Sequence, residues 1–416
     1  MTESRTSEFA EPKSAAYAPA SLTPTQQGPL GLRFDFNDGA RVVLPSRESG
    51  SWRVRLADAD TGNVLFETEM KSGLVRSSKR WFVRFHIEVW QRDNEASPWQ
   101  SVFVHEYDAR GRDILVQFPV GTVGDTVAWF AYACRFSERW PGAKLTCVMS
   151  EFVIPLFEKA YPDIAFVTPE AVKQGEQPER AYATYHVGLF FADKNNERQP
   201  IDFRHVGLHK SAAYILGCDL TERAPRLALP DESRPIADRY VCIAVQATTA
   251  AKMWNNPGGW REIVSHLKAR GYRVICIDQK PMHGQNLFWN QIPHGCEDRT
   301  GMTLVEMARW MRHAELFVGL SSGLSWVAWA AGCRVVMISG FTWPSNEFET
   351  PGRVINWHTC NGCWHDMALT FDHKDFMWCP RHAGTPRQFE CTRLITTAHV
   401  ANAIDRILGR ERDNPT

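Results

Sequence analysis

The sequence lacks an excess of charge of either sign: 47 Lys and Arg residues balance 47 Asp and Glu residues. A basic excess is what draws a protein to nucleic acid or to an anionic membrane surface, so the balance argues against both partners. There is no apolar run approaching the ~20 residues that a membrane-spanning helix needs. Residues 1–28 have neither the basic start nor the apolar core of a secretory signal. Together these absences predict a cytoplasmic protein.

Two common nucleotide-binding motifs are also missing. The chain contains no complete Walker phosphate loop and no G-x-G-x-x-G fingerprint. Their absence argues against kinases, ATPases and dehydrogenases. Any nucleotide site must therefore be built from other glycine-containing turns and helix starts.

The hydrophobic pattern changes several times along the chain. Period-two alternation in the first quarter predicts antiparallel strands, and strand and helix signals alternate from about residue 112 onward, as in parallel doubly wound sheets. The predicted segments are a disordered polar tail (1–30), a β-rich module (31–108), a first Rossmann-like domain (109–232), a second Rossmann-like domain (238–345), a metal-binding segment (346–395) and a C-terminal helix (396–411).

Four of the eleven cysteines are close together near the C-terminus: Cys360, Cys363, Cys379 and Cys391. A C-x-x-C turn containing glycine, followed by two single cysteines, can present four thiolates to one tetrahedral ion. Thiolates suit zinc and iron equally, and a closed four-ligand site is structural because no position remains open for chemistry. The alternatives are four unrelated buried thiols or a disulfide, which a reducing compartment disfavours.

A glycine-containing loop follows the first strand of the first α/β series and includes Thr122, Gly124 and Asp125. Glycine lets the backbone approach a ligand closely, and the start of a helix favours anions. Asp125 has two possible roles. It could act as a general base that accepts a proton from an incoming hydroxyl, or it could simply cap the helix.

The corresponding turn of the second series contains Thr248, Thr249 and Lys252. A hydroxyl, free backbone N–H groups and one ammonium can hold a diphosphate without a catalytic divalent ion. The alternative is that Lys252 is an ordinary solvated lysine.

A later strand–turn–helix unit repeats this arrangement with Ser321, Ser322 and Gly323. This turn is suited to phosphate oxygens, although such turns also occur merely as tight connections. Asp278 and Gln279 follow another strand, where ribose hydroxyls could bind. Two facing α/β domains with these contacts predict a nucleotide-sugar transferase of the GT-B type.

Several of these motifs resemble those of lipopolysaccharide heptosyltransferases of glycosyltransferase family nine. They include the Gly124-Asp125 loop, Thr248-x-x-x-Lys252-x-Trp254 and Val318-Gly-Leu-Ser-Ser-Gly323. The chain departs from the family's D-[ST]-G-x-x-H motif, with Ser at position 321 and Trp at position 326.

A closer resemblance extends over nearly the whole chain beyond the tail. The β-rich module, Phe371-Asp-His373, Trp378-Cys-Pro-Arg-His382 and the four cysteines are similar to those of bacterial autotransporter heptosyltransferases. That resemblance implies ADP-heptose as donor, serine hydroxyls of autotransporter passenger repeats as acceptors, and a homo-oligomer in the form of a dodecameric ring. It also implies iron at the four cysteines (zinc being the alternative), Asp125 as base and Lys252 on the diphosphate.

Two other functions stay open at this level. One is a heptosyl- or hexosyltransferase that acts on a glycan or lipid acceptor. The other is a non-catalytic, metal-clasped assembly protein, because Ser321 and Trp326 replace two residues of the family motif.

Overall fold

The computed structural model describes residues 17–119, 121–284 and 290–409. Within these ranges, no helix combines the length and the apolar character needed to cross a bilayer. From residue 17 to residue 106, the described chain forms strands apart from a 3₁₀ turn at Pro29–Gly31. The strands are β1 (Gln26–Gln27), β2 (Arg33–Asn37), β3 (Arg41–Leu44), β4 (Ser51–Asp58), β5 (Val64–Met70), β6 (Gly73–Arg76), β7 (Phe85–Arg92) and β8 (Gln100–Glu106).

Half of these strands form an antiparallel sheet in the order β5-β4-β7-β8. Alternate residues of its central strands, including Val54, Leu56, Ile87 and Val89, are completely buried. Alternation of this kind places one face of a sheet on the core and the other in solvent. The period-two pattern therefore predicted this sheet correctly.

The first α/β series follows this sheet. It comprises β9 (Asp113–Gln117), α1 (Val123–Arg139), β10 (Lys144–Val148), β11 (Ala165–Val167), α2 (Pro169–Gln174), α3 (Gln177–Arg180), β12 (Ala183–His186), α4 (Phe203–Val206) and α5 (Leu208–Leu216). The parallel strands of this series and four of the N-terminal strands belong to one sheet. The strand order is β11-β10-β9-β12-β2-β3-β6, and β1 pairs with β2.

The second series contains β13 (Tyr240–Ile243), α6 (Gly259–Ala269), β14 (Arg273–Cys276), β15 (Met282–His283), β16 (Asn290–Gln291), β17 (Glu297–Asp298), α7 (Leu304–His313), β18 (Leu316–Leu320), α8 (Gly323–Ala330), β19 (Val335–Ile338) and β20 (Gly352–Val354). Six of these strands form a parallel sheet in the order β17-β14-β13-β18-β19-β20. Two short helices, α9 (Glu390–Arg393) and α10 (Thr397–Gly409), end the described chain.

The N-terminal part differs from the prediction in two ways. The β-rich module is not separate, because β2 pairs in parallel with β12 and carries β3 and β6 into the first sheet. Of the predicted disordered tail, residues 1–16 lie outside the described residues, whereas residues 17–30 pack on the protein. Ala18 donates its amide N–H to Gln117 Oε1 at 2.8 Å, and β1 pairs with β2. The first bond satisfies a buried side-chain amide, and the second pairs backbone groups of β2 that would otherwise be open; composition alone reveals neither.

Candidate functional site

The two α/β series meet where α1 and α8 begin. Both helices start immediately after a strand and a tight turn, and their first turns touch. A Cβ atom added at Gly124 would lie only 3.0 Å from Gly323 Cα and 2.8 Å from Trp326 Cδ1. The absence of side chains at both glycines therefore lets two helix N-termini converge. Each N-terminus has free N–H groups and a partial positive charge, so their junction is suited to an anion.

A cavity of ≈350 Å³ opens beside this junction. Its walls come from both series, which brings together most of the residues that the sequence singled out. The lining residues are Thr122, Val123, Gln246, Ala247, Thr248, Lys252, Asp278, Gln279, Lys280, His283, Ser322, Gly323 and Leu324. The mixture of a lysine, hydroxyl groups and helix starts can accommodate a nucleoside diphosphate.

A smaller recess of ≈80 Å³ adjoins this cavity, and the residues that line both are Thr122, Thr248, Lys252, Ser322 and Gly323. The other lining residues of the recess are Gly124, Asp125, Leu189, Leu208, Ser321, Trp326, Thr342, Asn346, Glu347, Trp364, Phe371 and His373. Asp125 thus lines the recess and not the larger cavity, whereas Lys252 lines both. The two groups are near enough for the Lys252 charge to act on the Asp125 carboxylate.

Asp125 caps α1: its Oδ2 accepts the backbone N–H of Thr122 at 2.5 Å. Burial raises the pKa of Asp125, although the Thr122 hydrogen bond and the Lys252 ammonium oppose this. A carboxylate whose pKa is raised is a stronger base, and hydrogen bonding at one oxygen fixes its orientation. The capping role is therefore present in the structure, and the geometry is also compatible with the catalytic role, which stays a prediction.

Lys252 ends a 3₁₀ turn, Ala250–Lys252, and its ammonium lies over the rings of Phe341 and Trp364, 5.5 and 5.9 Å from their centroids. Among the described residues no carboxylate oxygen lies within ion-pair distance of this ammonium, and Asp125 interacts with its charge over a longer range. Cation–π contacts orient an ammonium without neutralising it. Its charge is thus available to a bound anion, which makes the alternative of an ordinary solvated lysine a poor description.

Two of the predicted contacts, Thr249 and Asp278, make other hydrogen bonds in the structure. Thr249 lines neither cavity: it is buried, and its Oγ1 donates to the carbonyl of Phe376 at 3.0 Å. Asp278 lines the larger cavity, but its oxygens accept the N–H groups of Val245 and Gln246 at 2.8 and 3.2 Å. It therefore braces the end of β13, and burial raises the pKa of Asp278 to about 6. A ribose contact would have to share those oxygens, and it stays a prediction.

Ser321 leads to a group that the sequence analysis missed. Its hydroxyl is buried and bonds to Glu347, which also accepts hydrogen bonds from Thr342, Asn346 and Arg353 at 2.9, 2.9 and 2.7 Å. Burial raises the pKa of Glu347, but Arg353 and the other donors outweigh this and lower it overall. A carboxylate thus lies beside the serine that replaces the motif's Asp. No local pattern could reveal this, because Glu347 comes from a later loop.

Comparison with known proteins places this chain in a family. The model of the "Glycosyltransferase TibC, N-terminal domain" matches residues 28–93, and that of "Glycosyltransferase family 9 (heptosyltransferase)" matches residues 203–353. The autotransporter heptosyltransferase BAHTCr of Citrobacter rodentium is 52% identical over 92% of this chain and 91% of its own length.

This chain belongs to the autotransporter heptosyltransferase family.

Another member, TibC from enterotoxigenic Escherichia coli H10407, has a crystal structure described as an iron-containing dodecameric glycosyltransferase. It is 50% identical and superposes with a TM-score of 0.85, covering 94% of this chain and 99% of that one. A second TibC structure is a complex with ADP-D-β-D-heptose. A relative from Burkholderia thailandensis, BimC, is 45% identical over 94% of this chain and 90% of its own length, and is called an inactive autotransporter heptosyltransferase.

The four cysteines of this heptosyltransferase lie in the segment that follows β20, which is joined to the loop after β19 by the Gly362 N–H donating to the Gly340 carbonyl at 2.9 Å. Burial raises the pKa values of Cys363 and Cys391 to about 12, and the neighbouring Cys360 and Cys379 thiols reinforce the effect. A bound cation would offset the mutual repulsion of buried thiolates, so such a group of thiols is suited to a metal ion.

Another metal-ligand group overlaps these four thiols. Within the described chain, the residues whose ligand atoms all lie within 4.8 Å of one another are Cys360, His382 and Glu390. Only one of the predicted ligands belongs to this set. The four-cysteine ligand set therefore stays a prediction.

Proposed function

We propose that this protein is an inverting GT-B glycosyltransferase that transfers heptose from ADP-heptose to serine hydroxyls of autotransporter passenger repeats. The observation that carries the proposal is the arrangement around Lys252. This ammonium lines both a nucleotide-sized cavity and the adjoining recess that contains Asp125. An anion-binding group and a candidate base are thereby brought together, as displacement of a diphosphate by a hydroxyl requires. The TibC complex with ADP-D-β-D-heptose supports the choice of donor.

In the proposed reaction, Asp125 accepts the proton of the acceptor hydroxyl as its oxygen attacks the anomeric carbon. The bond between that carbon and the diphosphate oxygen breaks, and ADP leaves with the electron pair. Lys252 and the N–H groups at the starts of α1 and α8 stabilise the negative charge that develops on the diphosphate. Groups fixed before the reaction stabilise such charge effectively, because they need no reorganisation.

We further propose that Cys360, Cys363, Cys379 and Cys391 hold one structural iron ion, with zinc as the alternative. The support is the set of four soft donors in one segment and the iron in TibC. The bound ion would supply a cross-link and no chemical step, and it would clamp the segment that carries Trp364 and Phe371 against the recess. We also place this protein in the bacterial cytoplasm as a homo-oligomer, in line with the TibC dodecamer.

The test is intact-mass spectrometry of an autotransporter passenger domain incubated with the metal-loaded protein and ADP-heptose. Mass gains in heptosyl steps are expected for the wild type. An Asp125→Asn variant should give none while still binding ADP, because its amide oxygen can keep the Thr122 hydrogen bond that caps α1. Failure of the wild type to modify the passenger would overturn the protein-acceptor proposal.

The inactive relative BimC gives one alternative a specific basis. If the wild type binds ADP-heptose but transfers it neither to a passenger nor to water, the non-catalytic assembly function is favoured. If it transfers heptose to a glycan or lipid extract but not to the passenger, the acceptor class must be revised.

A further inference from the structure

Two residues that line the recess each carry a buried polar atom for which the described protein provides no partner. They are Oδ1 of Asn346 and Nε1 of Trp364. Both residues line the recess, and they are only 5% and 8% exposed. Leaving a buried acceptor and a buried donor unpaired is costly, so such pairs are rare unless a ligand or ordered water satisfies them.

The surroundings of these atoms are those of a small sugar subsite. Rings of Trp364 and Phe371 pack at 5.4 Å between centroids on one side, and Trp326 lines another part of the recess. Glu347 lies next to Asn346 and accepts its Nδ2–H at 2.9 Å, which fixes the orientation of that amide and turns its Oδ1 away from the carboxylate. Apolar ring faces with a few fixed polar atoms are how proteins bind small polar ligands.

The size of the recess limits what can enter it. A space of ≈80 Å³ holds a few water molecules and is too small for a whole pyranose ring. A donor whose diphosphate is held at Lys252 would place its ring at the junction of the two cavities. Only a substituent of that ring could then reach Asn346 and Trp364.

We infer that the recess bounded by Asn346, Trp364 and Glu347 binds the exocyclic two-carbon diol of a seven-carbon sugar donor, and thereby selects heptose over hexose. The diol has two hydroxyl groups, and the recess has one unpaired acceptor and one unpaired donor for them. A hexose has only one exocyclic carbon and one hydroxyl, so it would leave one of these protein atoms unpaired. Sites that bind a hydroxyl in this way discriminate strongly against the analogue that lacks it. This inference rests on the proposed function, whose donor is ADP-heptose.

The experiment measures binding of ADP, ADP-heptose and an ADP-hexose of the same ring configuration by calorimetry, with no acceptor present. The wild type is expected to bind ADP-heptose at least tenfold more tightly than the ADP-hexose. Asn346→Ala and Trp364→Phe are each expected to reduce this preference to twofold or less, and Asn346→Ala is expected to leave the affinity for ADP unchanged. Both donors carry the same diphosphate. The ratio of their affinities is therefore unaffected by any change in diphosphate binding, including a weaker contact between Lys252 and the substituted ring.

The chain offers a matched control in Trp260→Phe. Trp260 is also buried, its Nε1 also has no partner among the described residues, and it lies on α6 outside both cavities. This variant should keep the wild-type preference. Two substitutions in the recess keep the test decisive if one of them fails to fold.

Equal binding of the two donors by the wild type would overturn the inference, as would a preference that survives both substitutions. Equal loss of ADP and ADP-heptose affinity would also overturn it, because the residues would then support the nucleotide site. The outcome is separable from that of the proposed function. A heptose preference without transfer rejects the transferase proposal alone, whereas transfer to the passenger without a heptose preference rejects this inference alone.

Discussion

The contact between Gly124 and Gly323 gives the most direct test of how the two α/β series form one site. We expect Gly124→Ala to lower both stability and ADP affinity. The added methyl group would meet Gly323 Cα at 3.0 Å and Trp326 Cδ1 at 2.8 Å. Neither neighbour can move easily, because one is backbone and the other is a ring that is only 2% exposed. The starts of α1 and α8 must therefore separate.

The magnitude follows from two opposing effects. Alanine is favoured over glycine within a helix by up to about 1 kcal/mol, whereas forcing a methyl group into a packed contact costs about 1–3 kcal/mol. Gly409→Ala isolates the first effect, because a Cβ atom there meets nothing within 4 Å. We expect Gly124→Ala to melt several degrees below Gly409→Ala, at roughly 2–4 °C per kcal/mol.

ADP affinity is the second readout. Separation of two helix N-termini that converge on one anion should weaken ADP binding about tenfold, or ~1.4 kcal/mol. Gly409→Ala should bind ADP as the wild type does. If Gly124→Ala melts together with Gly409→Ala and binds ADP normally, the argument that this glycine contact assembles the site is refuted.

Four further predictions concern single groups. Asp125→Asn should lower kcat by about 10²–10⁴ and leave the calorimetric ADP affinity unchanged; retained turnover would exclude this carboxylate as the base. Lys252→Met should weaken ADP binding by about 10- to 100-fold, as expected for loss of a charged hydrogen bond, and wild-type affinity would show that another cation holds the diphosphate. Asp278, whose pKa is raised from 3.8 to about 6, adds stability at low pH that is lost as the pH rises through 6. Urea unfolding should therefore show the wild type losing about 1.4 kcal/mol relative to Asp278→Asn between pH 5 and pH 7.5, and a constant difference would contradict the raised pKa. Removal of metal by a chelator under reducing conditions should lower the melting temperature, and an unchanged melt in metal-free protein would argue against a structural ion.

Local patterns along the chain were sufficient for much of the fold. Alternation predicted the sheet that contains β4 and β7, and the switch to strand–helix alternation predicted the two parallel series. These features are readable because burial of one face imposes its period on each element separately. The turns that contain Gly124, Lys252 and Ser322 could also be predicted to lie near one another. The carboxyl ends of parallel strands lie at one edge of their sheet, and the helices that follow begin there.

Pairings between distant segments were decided by the tertiary structure. Two examples are the pairing of β2 with β12 and the packing of residues 17–30 on the first sheet. Both depend on which strand edge is open nearby, and the local hydrophobic pattern carries no information about that. The same is true inside the site. Thr249 turns to the Phe376 carbonyl, Asp278 braces the end of β13, and Glu347 arrives from a later loop to meet Ser321. The sequence by itself determined which segments are candidates for phosphate binding and metal binding, because those motifs are local. The fold alone determined which side chains line the candidate site, because each buried polar group must find its partner in three dimensions.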